Sequence, residues 1–221
     1  MSKVEAKEHY RNAAGLIIPG VTTALSELAK PALIRWANKL GLEGIDSEKY
    51  KDELADIGIL SHYFVMTHLS EEVPEVDDYS QNQISQATAC YMKYLNWEEV
   101  NAVRPLLIEH KMVSERYQYG GQIDLFAISK YGFTLVDFKT NSKGIFPEMV
   151  YQVSAYWKLL EEEGWKVQRA VILRIGRNDP EGFDEKVITR AEQQEGFEIF
   201  ARCVDIYNLK KGQFPTCTSL L

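Results

Sequence analysis

The chain has 221 residues, with 25 Lys and Arg against 32 Asp and Glu, a formal charge of −7. That length suits one domain, and 45% hydrophobic with 26% charged residues is globular composition, which excludes a disordered chain. The acidic balance argues against a protein that coats nucleic acid non-specifically, because such binding exchanges counterions for Lys and Arg, but it leaves room for an enzyme with a local basic groove.

Taken in chain order, the opening Met1-Ser2-Lys3-Val4-Glu5 lacks the apolar stretch of a secretory signal, and its acidic residues argue against a mitochondrial presequence. No apolar run approaches the roughly 20 residues that cross a bilayer, so the expectation is a cytoplasmic protein with no membrane association. Pro19-Gly20-Val21-Thr22-Thr23 opens a helical stretch in which a Thr is expected to act as the cap. Pro31 should divide that stretch, leaving a second helix with Leu33, Trp36, Ala37 and Leu40 on one face. Further helices are expected over 47–69 and 80–97, joined by the acidic, Pro-broken loop Glu71 to Asp78. After Asn101 the texture changes. Strands are expected over 106–113, 117–128 (its hairpin partner) and 132–140, a helix over 147–163, and a buried strand over 167–175. A strand near 186–189 and a helix over 193–209 complete an α/β (α+β mixed sheet) core. The whole reads as a single domain, 1–221, with 1–100 mainly helical and 101–221 the α/β core. Cys90, Cys203 and Cys217 are scattered and contain no C-x-x-C pair, so they read as ordinary thiols rather than a disulfide framework or a zinc site.

The chemistry concentrates in Gly120-Gly121-Gln122-Ile123-Asp124 and Leu135-Val136-Asp137-Phe138-Lys139. Side chains alternate along a strand, so Asp137 and Lys139 project to one side while Val136 and Phe138 face the other. Asp124 can come alongside Asp137 if the two strands pair. Two carboxylates held close in a partly buried place repel, and a cation between them relieves this. Gln152 and Tyr156, four apart, share one face of the following helix. His62 follows Gly58 on an upstream helix. Carboxylates, one imidazole and a lysine suit Mg²⁺ or Mn²⁺, the imidazole tilting the choice toward Mn²⁺. Such a set serves phosphodiester hydrolysis, where water is activated and negative charge develops on phosphate oxygens.

Gly121-x-x-Asp124, Asp137-x-Lys139 and Gln152-x-x-x-Tyr156, with Gly58-x-x-x-His62 upstream, resemble the motif series of the PD-(D/E)XK nuclease superfamily in its RecB-like, phage-type exonuclease branch. The likeness spans roughly residues 19 to 175. It departs from the superfamily pattern at Ile123, where the nominal residue is proline. It implies a restriction-endonuclease-like core flanked by helices and a DNA exonuclease of phage or bacterial recombination, replication or repair, in a bacterial cell or phage-infected host. It further implies that His62, Asp124, Asp137 and the backbone carbonyl of Phe138 ligate the metal, and that Lys139 orients or helps deprotonate the attacking water. Gln152 and Tyr156 would steady the site and contact the DNA backbone. An endonuclease of the same superfamily, or a DNA-binding subunit that is non-catalytic or depends on a helicase or recombination partner, are the alternatives.

Other residues read less sharply. Glu109 is a candidate to join the metal shell, with a solvated strand-end carboxylate as the alternative. His68 and His110 read as structural. Gly120 and Gly121 are expected to form a turn or bulge that substrate backbone approaches. Lys111, Arg116, Lys143, Lys158, Arg174 and Arg177 are candidates for a phosphate track. No phosphate-binding G-x-x-x-x-G-K-[ST] loop is present, so the chain has no ATPase signature. Phe214-Pro215-Thr216-Cys217 has no assignable role.

Overall fold

The structure is a computed structural model that describes residues 9–212, so Cys217 and the C-terminal Phe214–Cys217 stretch lie outside the described residues. The chain begins with a short antiparallel arm, β1 (Tyr10–Arg11) and β2 (Ile17–Ile18), which the sequence did not announce. Four helices follow: α1 (Val21–Leu25), α2 (Pro31–Leu42), α3 (Ser47–Leu69) and α4 (Gln81–Asn101). Pro31 opens α2, where its missing N–H costs no hydrogen bond. The Asp46 side chain accepts the N–H groups of Glu48 and Lys49 at 3.0 and 3.2 Å, a cap worth about 1 kcal/mol. Ser80 and Gln83 form a reciprocal capping box at the start of α4. The threonine cap expected on α1 is not formed. Gly20 occupies the cap position with no side-chain bond, and Thr22 and Thr23 lie inside the helix.

Beyond Asn101 the chain forms β3 (Arg104–Ile108), β4 (Lys111–Ser114), β5 (Tyr119–Gln122), β6 (Leu125–Ser129), β7 (Gly132–Lys139), α5 (Pro147–Glu162), β8 (Arg169–Ile175), β9 (Phe183–Ile188) and α6 (Arg190–Lys210). The main sheet has the order β3-β6-β7-β8-β9. Only β7 and β8 are parallel, joined by the α5 crossover, so the expected mixed sheet flanked by helices is what forms. The two long strands expected over 106–113 and 117–128 are each broken. Glu109 takes a left-handed backbone (φ +46°), and its N–H donates to the Asp124 carbonyl at 3.0 Å, while the Ile123 N–H donates to the His110 carbonyl at 3.0 Å. One long hairpin thus bends in the middle. Its inner half, β3 and β6, joins the sheet, and its outer half, β4 and β5, pairs separately.

Helices cover both faces of the sheet. Val136, Phe138, Val171 and Leu173 pack with Tyr94 and Trp97 of α4 and Met66 of α3. Leu135 and Ile172 pack on the other face with Leu159 and Leu160 of α5 and Phe200 of α6. β8 is therefore apolar on both sides, which is why its sequence alternates poorly. Each of these fully buried aliphatic side chains contributes about 1.5–3 kcal/mol of hydrophobic stabilisation. The apolar face expected on α2 is only partly covered, since Leu40 is buried whereas Leu33 is 55% exposed. Among the described residues no helix is long and apolar enough to cross a membrane.

Candidate active site

The last residues of β7 carry the Asp-x-Lys pair. Val136 and Phe138 turn into the α3/α4 face, so strand alternation turns Asp137 and Lys139 toward α5. Asp137 is 1% exposed, and its Oδ2 lies 2.7 Å from the Lys139 ammonium. That contact is an ion pair without hydrogen-bond alignment, and Oδ1 has no hydrogen-bond partner at all.

Asp124 sits at the corner of the bent hairpin rather than inside a strand. Leu125 pairs with Val136, which sets Asp124 beside the end of β7. There its Oδ2 accepts the Phe138 N–H at 2.7 Å, fixing the carboxylate. His62 reaches the same corner from α3. Its Nε2 lies 3.1 Å from the Phe138 carbonyl oxygen and its Nδ1 lies 3.8 Å from Asp124 Oδ1. Gly58 eases this approach, because a Cβ there would stand 2.8 Å from Thr140 Oγ1, just past the end of β7, and would require that hydroxyl to turn away. The Gly-x-x-x-His spacing thus has a packing reason: one turn of α3 must touch the strand end for the next to deliver the imidazole.

Electrostatics follow from this crowding. Burial pushes the Asp137 carboxyl up to about 6, an effect that Lys139 opposes and Asp124 reinforces. Burial pulls the Lys139 ammonium down, but attraction to Asp137 and Asp124 outweighs it, so the pKa is raised and the lysine is held charged. On α5, Gln152 Nε2 donates to the Tyr156 hydroxyl at 2.9 Å. Burial, then the Asp137 and Asp124 charges, push the Tyr156 hydroxyl well above its ordinary value, so it stays neutral.

The donor set can be tested for a divalent ion. Among the described residues no three His, Cys, Asp or Glu side chains already close into a metal cage. Even so, the His62 imidazole and the Phe138 carbonyl, in hydrogen-bond contact at 3.1 Å, bring a nitrogen and an oxygen donor of the kind such an ion accepts to the same corner as Asp124. The unpartnered Oδ1 of Asp137 is the kind of buried charge that a cation would satisfy. The residues fit Mg²⁺ or Mn²⁺.

A half-enclosed cavity of about 1030 Å³ opens beside this corner, with Asp124 and Tyr156 in its wall. Lys111 and Gln122 also line it. Tyr10 and Tyr207 do so from the two ends of the chain, with no local sequence signal for either. Several expectations change here. Gly120 and Gly121 admit side chains of the chain itself: a Cβ at Gly120 would collide with the Tyr10 ring, and one at Gly121 would stand 2.8 Å from Tyr156. Arg174 and Arg177 do not belong to a phosphate track, being buried and held by Asp184 and Glu181. Lys158 lies over the Tyr117 and Phe197 rings, Arg116 lies over Tyr117, and Lys143 is exposed. Glu109 is exposed at the hairpin bend. His68 and His110 are held by Glu98 and Glu163, as structural residues would be.

Comparison with known proteins agrees with the motif series. The sequence matches the model of the PD-(D/E)XK nuclease superfamily over residues 24–219. No curated protein matches it. Among solved structures it is similar to a candidate exonuclease from Eubacterium rectale, at 12% identity and a TM-score of 0.47, over 72% of this chain and 69% of that one. It is also similar to the protein SSO0001, at 16% identity and a TM-score of 0.37, over 72% of this chain and 83% of that one. With the family matched across nearly all of its length and a five-stranded mixed sheet flanked by helices, this chain has a restriction-endonuclease-like fold and belongs to the PD-(D/E)XK nuclease superfamily.

Proposed function

We propose that this nuclease is a divalent-metal-dependent exonuclease that hydrolyses DNA from an end, in the cytoplasm of a bacterium or phage-infected host, during recombination, replication or repair. The chain would act as one domain, alone or beside a helicase or recombination partner. The observation that carries the reading is the corner at the end of β7 where His62, Asp124, Asp137 and Lys139 converge beside a half-enclosed cavity that has Asp124 in its wall.

In this reading Asp124, Asp137, the Phe138 carbonyl and His62 hold Mg²⁺ or Mn²⁺, with Glu109 a further candidate ligand. The bound ion supplies positive charge against the phosphate oxygens and makes water a better nucleophile. The chain's own residues do the rest. Phe138 N–H locks the Asp124 carboxylate in orientation. Lys139, kept cationic by two carboxylates, orients the attacking water and offsets charge on a phosphate oxygen as water adds to phosphorus and the leaving sugar oxygen departs. A charged ammonium favours that role over taking the proton from water. Gln152 and the neutral Tyr156 hydroxyl steady the wall that faces the strand.

The test is digestion of end-labelled linear single- and double-stranded DNA beside a covalently closed circle and an RNA of the same sequence, with Mn²⁺ or Mg²⁺. Loss of linear DNA with the circle spared is the expected result. Cutting of the circle would replace the exonuclease reading by an endonuclease one. Preference for the RNA would overturn the choice of substrate.

A further inference from the structure

The β1–β2 arm lies ahead of residues 24–219, so the family match does not account for it. It is nevertheless fastened to the outer half of the hairpin at several points. The Tyr10 ring fills the space over Gly120 and Gly20, where side chains would collide with it. The Gly120 N–H donates to the Pro19 carbonyl at 3.0 Å, and the two glycines form a parallel bridge. Asn12 Nδ2 donates to Gln118 Oε1 at 2.7 Å, and the Ala13 N–H donates to Glu115 Oε1 at 2.7 Å. Chain leaving the arm runs directly into α1, whose Val21, Ala24 and Leu25 are buried in the main core. These contacts make the arm a fixed wall rather than a swinging flap.

This wall borders the cavity whose lining includes Asp124. Tyr10 and Ile17 form its arm side, and Thr22 and Thr23 extend that side. Lys111, Gln122 and Tyr156 also line it, and Asp124 is the sole carboxylate among the described lining residues. Aromatic rings, hydroxyls and an amide suit the bases and sugars of one unpaired strand. A volume of about 1030 Å³ has room for a short stretch of one strand. The arm is thus part of the wall of this space beside Asp124.

We propose that the β1–β2 arm is the specificity element of this chain: by walling the cavity beside Asp124 it admits the free end of a single polynucleotide strand and rejects a strand without ends. The chemistry at that end rests on the nuclease reading above, but the selection of ends is a matter of binding and is testable apart from cleavage. Full-length Lys139→Ala protein in Mg²⁺ serves as the background that leaves strands intact. Its affinity is measured by fluorescence anisotropy for a labelled linear single strand and for a covalently closed circle of the same sequence. The linear strand should bind at least about tenfold more tightly. Adding Tyr10→Ala, which removes the ring that keys the arm, should close that gap chiefly by tightening the circle. Gly120→Val, which expels the same ring from the opposite side, should do likewise, and Tyr10→Phe should retain the preference. Thermal melts establish that each variant is folded, and either of the first two suffices for the test. Equal binding of linear and closed strands with the arm intact would overturn the proposal, as would an undiminished preference in a folded arm-released variant. Absence of cleavage in the parent chain would count against the nuclease reading and leave this binding comparison standing.

Discussion

Asp137 is a carboxylate placed where water cannot solvate it, with one oxygen facing an ammonium and the other facing no donor. Its carboxyl is pushed up to about 6 by burial from an ordinary value of 3.8, so ionising it costs the folded state free energy. The sign follows: the cost is complete above pH 6 and vanishes below 3.8. Without divalent ions, Asp137→Asn should therefore be more stable than the parent at pH 8, by about 1–3 kcal/mol, with the difference shrinking as pH falls through this window. Urea denaturation at pH 8 and pH 4 measures it, and a variant that is less stable at pH 8 would refute the account of this residue. Mn²⁺ should raise the melting temperature of the parent and leave that of the variant nearly unchanged. The sequence carried the Asp137–Lys139 pair plainly, because strand alternation alone places both on one face. It did not carry the fate of Arg174 and Arg177. Their partners, Asp184 and Glu181, depend on the β8–β9 register and the turn that joins those strands.

At the scale of elements, α3 and the bent hairpin set the site. The sequence located α3 without error, since Asp46 caps its start and an acidic, proline-containing loop follows its end. The break at Glu109 and Asp124 was not legible. Both segments have continuous strand character, and the bend comes from a left-handed Glu109 and two cross-chain backbone bonds that no local pattern encodes. Nor was the arm, since Tyr10 and Gly120 meet only in the fold. Gly58 ties α3 to the site, because the helix meets Thr140, the residue after β7, one turn before His62. Gly58→Leu should push the two apart and move His62 away from the Phe138 carbonyl, weakening Mn²⁺ binding by about tenfold or more. Gly58→Ala should weaken it far less, since a rotating Thr140 hydroxyl can make room and alanine favours the helix. Isothermal titration with Mn²⁺ separates the two, and equal affinity in the parent and Gly58→Leu would show that this contact does not position the imidazole.

The whole molecule is a mixed sheet covered on both faces, and at the end of β7 helices from both sides bring polar side chains together. His62 comes from α3 and Gln152 with Tyr156 from α5, while the bent hairpin adds Asp124. A buried, repelling set of charges is held there by a core of Leu135, Val136, Val171 and Ile172 that takes no part in the chemistry. The net charge of −7 means that, on the proposed reading, strand binding would come from local features of the cavity and from a bound metal rather than from the surface as a whole, so cleavage should be sensitive to loss of a single positive group. The most direct measurement is the cleavage rate of labelled linear DNA by the purified chain and by Lys139→Ala, each in Mn²⁺, Mg²⁺ and EDTA. The account predicts metal-dependent cleavage by the parent, none in EDTA, and a loss of about 10²-fold or more in a variant that melts like the parent. Undiminished cleavage by Lys139→Ala, or by the parent in EDTA, would contradict it.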